Sequence, residues 1–325
     1  MYSNALTNPI TRVKIYTSHM GELKMLNFLP DRLVGCIAIF LLALNVVFWV
    51  SILFVFSFLK FLLPLRPLTR LFDKILLWIA ENWIAGNGLW MKLTQKTTWD
   101  VQGLDNLNYR GWYLVVSNHQ SWADIFILQK LLSRRIPLMK FFLKRELIWV
   151  PFMGLAWWAL DFPFLRRHSV EYLKKHPGQK GKDFETTRKA CEKFTHIPTS
   201  VMNFLEGTRF TAAKSARQKS PYQYLLKPKA GGIALALSVL GDKFHSLLNI
   251  TIAYPDGIPT FWGFLSGKVK RVVVRISSTE IPPHFLHMDY EGNKEFQAAF
   301  QQWVQDLWKE KDAQIAVLMQ EAKAR

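Results

Sequence analysis

Runs of apolar residues divide the chain into segments with different predicted structures. From Leu33 to Leu59 no residue is charged, and this run is longer than the roughly 20 residues with which a helix crosses a bilayer. It predicts either one tilted membrane helix or two shorter helices bent near Asn45 into a membrane-embedded hairpin. A buried core helix is the less favoured alternative for so long an uncharged run, so the pattern predicts membrane attachment.

The next segment predicts a helix of a different kind. Residues 68–93 have apolar residues at helical spacing, several Trp and scattered charges, and Pro64 and Pro67 separate them from the preceding run. The pattern fits an amphipathic helix at a membrane interface, and equally a helix packed on the domain that follows. Basic residues flank the apolar run on both sides, so the positive-inside rule does not give its orientation.

From about Thr98 onward, short apolar runs alternate with helical patterns. Residues 112–118, 199–206, 247–255 and 269–278 predict buried strands, and residues 123–132, 182–194, 231–241 and 294–325 predict helices. This alternation predicts an α/β fold with a mixed, largely parallel sheet flanked by helices. We therefore expect an N-terminal tail (1–32), membrane-embedded and interfacial helices (33–94), and an α/β domain with a C-terminal helix (95–325).

The positive charge of the chain is concentrated in its middle. The formal net charge is +18, and residues 130–229 contain 21 Lys or Arg against 7 Asp or Glu. The positive electrostatic potential of such a region favours acidic partners, namely lipid phosphates, phosphorylated small molecules or nucleic acid. A membrane-tethered nucleic-acid-binding protein is the alternative that charge alone suggests, although no known nucleic-acid-binding motif occurs.

Metal and covalent chemistry have little support in the sequence. There are two Cys without a CxxC pattern, and no HExxH spacing occurs, so we predict no metal site and no cofactor. Ser117 and Ser121 flank His119, but no G-x-S-x-G pattern marks a nucleophilic serine.

Residues 118–124, NHQSWAD, lie between a predicted strand and a predicted helix. On a regular helix His119 and Asp124 would point about 140° apart, whereas a turn between them allows contact. Asp124 would then orient His119, whose other ring nitrogen could act as a general base. The alternative is that Ser121 and Asp124 only cap the helix, in a capping-box-like start. The position after a strand of an α/β sheet favours catalysis for Asp124.

A second polar turn, Glu206 to Arg209, follows another predicted strand. Gly207 permits a backbone bend that other residues avoid, and the guanidinium of Arg209 suits a phosphate. The EGTR tetrapeptide is weak evidence alone, but two such turns after buried strands together favour a substrate site.

These two turns resemble motifs of the glycerolipid acyltransferase family, especially its bacterial inner-membrane 1-acylglycerol-3-phosphate acyltransferases. NHQSWAD matches the NHxSxxD form of the family's HX4D motif, and FLEGTR (204–209) resembles FPEGTR, with Leu205 in place of Pro. Residues 139–167 look like the Lys-rich segment with Pro and Gly that separates these motifs. The resemblance extends over residues 95–280.

The resemblance implies a role for each matching residue. His119 would deprotonate an acceptor hydroxyl, Asp124 would orient His119, and Glu206 would help to position the second turn. Arg209, with Gly207 and the backbone of that turn, would hold the acceptor phosphate. The residues implied in substrate binding are Glu206, Gly207, Thr208 and Arg209, followed by the weaker candidates Lys140, Arg166 and Lys229.

The implied function is a membrane-bound O-acyltransferase that moves a fatty acyl group from acyl-CoA or acyl-ACP to a lysophospholipid hydroxyl. The foremost acceptor is 1-acylglycerol-3-phosphate, and larger lysophospholipids such as lysocardiolipin or lysophosphatidylglycerol are the alternative. The expected partners are a phospholipid membrane, the acceptor and the acyl donor, with no nucleic acid, and the expected location is the cytoplasmic face of the inner membrane. Intact His119 and Asp124 argue against a degenerate, purely structural protein.

Overall fold

The fold is described from a computed structural model that covers Leu26 and residues 28–165, 197–286 and 292–324. The predicted helix at residues 182–194 and the candidate Arg166 lie outside these described residues.

Two long helices form an antiparallel hairpin before the sheet. They are α1 (Asp31–Leu62) and α2 (Arg66–Thr94), and Pro67 lies in the first turn of α2, where its missing N–H is not needed. Within the described residues α1 is the one helix long and apolar enough to cross a membrane. One such helix near the N-terminus is weak evidence for a span.

Of the two alternatives predicted for the apolar run, the bend near Asn45 is wrong, because α1 continues through this residue without interruption. The Asn45 amide instead donates to the carbonyl of Trp83 at 2.9 Å and to Oδ1 of Asn87 at 3.0 Å. The polar side chain within the apolar run is therefore satisfied by the neighbouring helix, and it fixes the register of the hairpin rather than breaking α1.

The rest of the chain alternates strands and helices. The first half contains β1 (Thr98–Gln102), β2 (Tyr113–Ser117), α3 (Ala123–Leu132), β3 (Met139–Phe141), β4 (Leu143–Lys144), a 3-10 helix (Arg145–Trp149), α4 (Met153–Ala159) and β5 (Phe164–Leu165). The second half contains β6 (Ser200–Phe204), α5 (Ala212–Gln218), α6 (Gly231–Leu240), β7 (Ser246–Ala253), α7 (Phe261–Leu265), β8 (Arg271–Thr279) and α8 (Lys294–Ala324), with 3-10 helices at Gly241–Lys243 and Pro283–Phe285.

Within the described part of the chain, six strands form one mixed sheet in the order β1-β8-β7-β2-β6-β3. Only β7 and β8 pair antiparallel, and the other neighbours in this sheet are parallel. The predicted α/β class and its largely parallel sheet are therefore confirmed. The four predicted strands correspond to β2, β6, β7 and β8, whereas the short strands β1 and β3 and the separate β4–β5 pair were not predicted.

The central strand β2 is buried on both faces. Val115 packs in one apolar core with α3, and Leu114 and Val116 pack in the other core with α6 and α8. Alternate side chains of a strand point to opposite faces, which explains this division. Strand β2 runs parallel to β6 with Ser117 opposite Phe204, so the polar turns that follow both strands begin at the same edge of the sheet.

Candidate active site

Asn118 fixes the point at which the chain leaves β2. Its side-chain amide donates to the carbonyl of Ile252 at 2.8 Å, and its side-chain oxygen accepts the Ile252 N–H at 2.9 Å. Ile252 belongs to the neighbouring strand β7, and Asn118 is completely buried. The side chain thus extends the sheet by one pair of hydrogen bonds, and the following residue starts from a defined position.

His119 and Asp124 are in contact, as predicted for a turn between them. Nδ1 of His119 lies 2.9 Å from Oδ2 of Asp124, which is fully buried, while 12% of the His119 side chain is exposed. An N–H donated from Nδ1 to the carboxylate leaves Nε2 as the acceptor nitrogen of a neutral imidazole. Nε2 has no hydrogen-bond partner within residues 28–165, 197–286 and 292–324.

The carboxylate of Asp124 has several donors besides His119. Oδ2 also accepts the backbone N–H groups of Gln120 at 2.7 Å and Ser121 at 2.8 Å. The cap and the contact with His119 are therefore made by the same oxygen, and the two interpretations of Asp124 do not exclude one another. Ser121 accepts the N–H of Ala123 through Oγ at 3.2 Å, which is a helix-start contact.

Tyr254 completes the surroundings of Asp124 and was missed by the sequence reasoning. Its hydroxyl donates to Oδ1 of Asp124 at 2.5 Å. Burial, followed by the nearby Asp124 charge, raises the Tyr254 pKa well above 10, so the hydroxyl keeps its proton. A polar residue directly after the buried strand β7 was the signal that could have indicated this contact.

The imidazole of His119 stacks on an aromatic ring. The ring centroids of His119 and Phe204 are 4.0 Å apart with 14° between the ring planes, and Phe141 stacks beyond Phe204 at 6.1 Å. This stacking restricts rotation of the imidazole about its own bonds. Phe204 was recognised only as part of the FLEGTR segment, so its position under His119 is a new feature.

Glu206 joins the two polar turns. One carboxylate oxygen accepts the backbone N–H of His119 at 2.8 Å, and the other accepts the N–H of Leu226 at 2.9 Å. The backbone N–H of Phe210 donates in turn to the carbonyl of His119 at 2.7 Å. Glu206 is fully buried, so its carboxyl group contacts both turns inside the protein, and its predicted part in substrate binding stays a prediction.

Buried Lys311 of α8 lies within the electrostatic range of Glu206. Burial raises the Glu206 pKa to about 8, although the hydrogen bonds from His119 and Leu226 and the charge of Lys311 oppose the rise. Burial lowers the Lys311 pKa to about 7, against the effect of Glu206. The Lys311 Nζ donates to Ile250 O at 2.6 Å and Thr251 Oγ1 at 3.0 Å on β7. Nothing in the residues around Lys311 indicates that this lysine is buried.

The second turn has the backbone that glycine allows. Gly207 has φ +66°, which other residues rarely adopt, and its N–H donates to Phe204 O at 2.9 Å. The Lys214 ammonium binds Thr208 Oγ1 at 2.8 Å and Arg209 O at 2.9 Å. Lys214 therefore braces the turn from α5, which sequence reasoning did not detect.

Arg209 has an aromatic neighbour instead of a carboxylate. Its guanidinium carbon lies 4.5 Å from the ring centroid of Trp122, a cation–π contact that orients a guanidinium without neutralising it. No ion pair involves Arg209 among the described residues. By contrast, Arg271 and Arg275 form two-point ion pairs with Asp256 and Asp100. Arg209 can therefore offer its N–H groups to an anionic ligand.

The weaker phosphate candidates are not all brought to this edge of the sheet. Lys140 lies in β3 opposite Val201, roughly 10 Å along the strand from Phe204 at 3.3 Å per residue. Lys229 is exposed, and its backbone N–H donates to Leu205 O at 2.7 Å, so its backbone adjoins the second turn. Their roles in phosphate binding stay predictions, as does the role of Arg166.

Comparisons with known proteins match part of this chain to one protein family. Residues 98–254 match the family model described as Acyltransferase. Lysocardiolipin acyltransferase 1 from Gallus gallus is 28% identical over 216 residues, which are 62% of this chain and 52% of that protein. 1-acyl-sn-glycerol-3-phosphate acyltransferase gamma from Mus musculus is 25% identical over 241 residues, which are 69% of this chain and 58% of that protein.

The crystal structure of the 1-acyl-sn-glycerophosphate (LPA) acyltransferase PlsC from Thermotoga maritima is also similar. It has a TM-score of 0.46 and 19% sequence identity, and the match covers 85% of this chain and 95% of that chain. The matched region spans between half and two thirds of the length of the two curated relatives.

Proposed function

We propose that this chain, whose residues 98–254 match the family model described as Acyltransferase, transfers a fatty acyl group from a thioester donor to the hydroxyl of a lysophospholipid. The observation that carries this proposal is the contact between His119 and Asp124, which Glu206 joins to the turn with Arg209. One edge of the sheet thus combines a base with an anion-binding group. The proposed acceptor is 1-acylglycerol-3-phosphate.

In this proposal His119 is the general base. Its Nε2 removes the proton of the acceptor hydroxyl while that oxygen attacks the thioester carbonyl, and Asp124 stabilises the imidazolium that forms. The new C–O bond replaces the C–S bond, and the imidazolium returns its proton to the departing thiolate. No protein nucleophile is needed, and the expectation that the reaction requires no cofactor stays a prediction.

The turn from Glu206 to Arg209 is proposed to bind the acceptor phosphate. The guanidinium of Arg209 has donors for two phosphate oxygens, and Gly207 allows the backbone to approach a ligand closely. Glu206 connects this turn to the backbone of His119, so a phosphate held by Arg209 would place a nearby hydroxyl with respect to the base. This connection supports a phosphate-bearing acceptor.

Membrane association is the second part of the proposal, and α1 is its main element. At one end of α1, Asp31 pairs with Lys268 at 3.5 Å, and at the other end Lys60, which pairs with Asp73 of α2 at 2.6 Å, also lies 3.8 Å from Asp161. These ends lie roughly 44 Å apart at 1.5 Å per residue, farther than the ~30 Å of a hydrocarbon core. Lys268 and Asp161 belong to residues 95–325, which contain the sheet and are called the sheet domain here, and contacts with it at both ends support a helix lying along the membrane surface rather than across it.

The proposed location is the cytoplasmic face of the inner membrane. The exposed side of α1 carries Phe40, Leu44, Phe48 and Phe58, which suits hydrocarbon, and the net positive charge suits anionic lipids. Acyl-CoA and acyl-ACP are the two proposed donors. We also propose that residues 33–94 form the membrane part of the protein and that residues 95–325 form its catalytic part.

The relatives give specific support to a second acceptor class. Two relatives are named for different acceptors: one is lysocardiolipin acyltransferase 1, and the other is 1-acyl-sn-glycerol-3-phosphate acyltransferase gamma. Both acceptors contain a phosphate and a free hydroxyl, so the turn at Arg209 suits either of them. We therefore propose lysocardiolipin or lysophosphatidylglycerol as the alternative acceptors.

The test uses the full chain reconstituted in vesicles with labelled acyl-CoA or acyl-ACP. The acceptors are 1-acylglycerol-3-phosphate, lysophosphatidylglycerol and lysocardiolipin, each tested with the parent, with His119→Ala and with Asp124→Asn. We expect transfer by the parent and loss of transfer in both variants. Undiminished transfer by His119→Ala would overturn the mechanism, and salt-sensitive binding of nucleic acid without any transfer would support the rival function.

A further inference from the structure

Residues 149–158 of the sheet domain present large apolar side chains to solvent. Trp149 is 85% exposed, and Phe152, Leu155 and Trp158 are 56%, 54% and 55% exposed. Leu155 and Trp158 are three residues apart and lie on one side of α4, and Phe152 directly precedes this helix. We call these four residues the apolar patch. Surfaces of this kind mark contact with a protein or a membrane.

The helix hairpin does not cover the apolar patch, because it occupies the other side of α4. Ala156 and Ala159 are buried against Val50 and Leu53 of α1 and Leu76 of α2. The small alanine side chains allow α4 to lie close to the hairpin. α4 is therefore apolar on both sides, with one side packed inside the protein and the other side exposed.

The backbone at the start of α4 holds one of these side chains outward. Phe152 has φ +61°, a conformation that is unfavourable for a bulky residue and persists only where the surrounding structure requires it. The phenyl ring is more than half exposed. In water, a strained backbone that exposes a phenyl ring does not stabilise the protein. If the ring of Phe152 enters an apolar phase, burial of the ring can offset this strain.

The apolar patch adjoins the helix that we propose to lie on the membrane. α4 packs on α1, and the exposed residues near the end of α1 include Val55, Phe58, Phe61 and Leu62. Lys144 and Arg145 are exposed immediately before the patch, next to Glu146. Basic side chains beside exposed tryptophans fit the phosphate and interfacial layers of an anionic bilayer.

The segment that bears the patch begins beside the candidate base. It follows β3, whose last residue Phe141 stacks on Phe204, and Phe204 stacks on His119. Strand β3 runs parallel to β6, so the segment leaves the sheet at the edge where the two polar turns lie. A lipid acceptor that enters near the patch would therefore enter on the side of the candidate site.

We propose that the apolar patch is a second membrane contact, made by the sheet domain itself, that inserts into an anionic bilayer and brings lipid acceptors to the site. This inference rests on the proposed function, since it takes the acceptor to be a lipid and the protein to be on a membrane. α1 keeps the protein on the bilayer, and the patch sets the side of the sheet domain that faces the bilayer.

Photolabelling tests the contact without relying on activity. The full chain is reconstituted in vesicles of phosphatidylcholine and phosphatidylglycerol with a diazirine-bearing phospholipid, irradiated, and digested with trypsin for mass spectrometry. We expect lipid adducts on the peptide between Arg145 and Arg166 and on α1, and none around exposed Val317 of α8. Adducts on α1 without adducts on the patch would overturn the proposal.

Kinetics test the delivery of lipid. Trp149→Ser combined with Trp158→Ser should raise the KM for a long-chain acceptor in vesicles about tenfold, because less apolar area enters the bilayer. Transfer to a short-chain acceptor dissolved in water should stay within about twofold of the parent. Val317→Ser is the matched control, and it should change neither value.

Two results would contradict the delivery role. One is an unchanged KM in vesicles, and the other is an equal loss on both acceptors, which would indicate damage to the site itself. A parent that transfers no acyl group to any acceptor would instead refute the proposed function, and the photolabelling result would still decide the membrane contact.

Discussion

The carboxylate of Glu206 accepts the backbone N–H of His119 at 2.8 Å, although the two residues are 87 positions apart in the sequence. The same side chain accepts the N–H of Leu226 at 2.9 Å. One buried side chain thus connects the turn that contains the candidate base His119 with the turn that contains Arg209, the candidate phosphate-binding residue. A displacement of either turn would be transmitted to the other through Glu206.

Glu206→Gln should destabilise the protein and slow transfer. Glutamine has one oxygen, so its NH2 group faces a backbone N–H, and one buried donor is left without an acceptor. We expect a loss of about 1–3 kcal/mol in the free energy of unfolding and a fall in kcat of about tenfold or more. Chemical denaturation and initial rates measure the two effects.

Glu81→Gln is the matched control, because Glu81 accepts a hydrogen bond from Tyr109 at the surface, away from the sheet edge. It should leave kcat unchanged. Equal kcat values for the parent and Glu206→Gln would contradict the positioning role of Glu206.

The pKa of Glu206 predicts a pH dependence of stability. Burial raises this pKa from 4.5 to about 8, so the folded protein holds a proton that the unfolded chain has released. The contribution of Glu206 to the free energy of unfolding is largest below pH 4.5 and falls as the pH rises towards 8. The slope is at most about 1.4 kcal/mol per pH unit.

Lys311 acts in the opposite direction at higher pH. Its pKa is lowered from 10.5 to about 7, so the free energy of unfolding should rise between these two values. Denaturation from about pH 5 to pH 7 therefore isolates Glu206. The difference in stability between the parent and Glu206→Gln should shrink over this range, and a constant or growing difference would contradict the raised pKa.

Asp124→Asn should remove most of the activity. An amide in place of the carboxylate no longer fixes the His119 tautomer or stabilises the imidazolium, and we expect kcat to fall on the order of 10³-fold or more. Single-turnover rates with a saturating acceptor measure this loss. A loss below tenfold would mean that Asp124 mainly caps α3.

Tyr254→Phe should have a smaller effect than Asp124→Asn. It removes one donor to Asp124 and leaves the contact with His119, so a fall in kcat of about tenfold with an unchanged KM is expected. Tyr222→Phe is the matched control, because the Tyr222 hydroxyl donates to the backbone of α8 at the surface. If the two variants behaved alike, Tyr254 would have no special relation to catalysis.

Arg209→Ala should raise the KM for a phosphate-bearing acceptor about tenfold or more, since hydrogen bonds to a charged group are lost. Arg209→Lys should restore only part of the affinity, because lysine lacks the planar fork and its stacking on Trp122. Steady-state kinetics with varied acceptor check both. Arg217→Ala, which changes an exposed arginine of α5, should have no such effect; a similar rise in KM there would indicate general attraction by the basic surface.

The sequence predicted best those features that depend on neighbouring residues. The continuous apolar runs of β2, β6 and β7 identified buried strands, and the turn required by the spacing of His119 and Asp124 was correct. Short strands such as β1 and β3 were missed because three to five residues carry too weak a pattern. Their pairing depends on strands that are distant in the sequence.

The contacts that complete the site come from distant parts of the chain. Tyr254, Lys214 and Lys311 are each an ordinary residue of their local segment, and only folding brings them to Asp124, Thr208 and the region of Glu206. Asn45 illustrates the same limit, because a polar residue in an apolar run suggests a bend until its partners on α2 are known.

The contacts at both ends of α1 have a consequence for the supply of membrane lipid. If α1 is the proposed membrane anchor, its contacts with the sheet domain at Asp31 and at Lys60 predict that the protein takes its acceptor from a single leaflet and releases its product into that leaflet. Synthesis would then enlarge one half of the bilayer, and the opposite half would grow only as fast as lipid crosses to it.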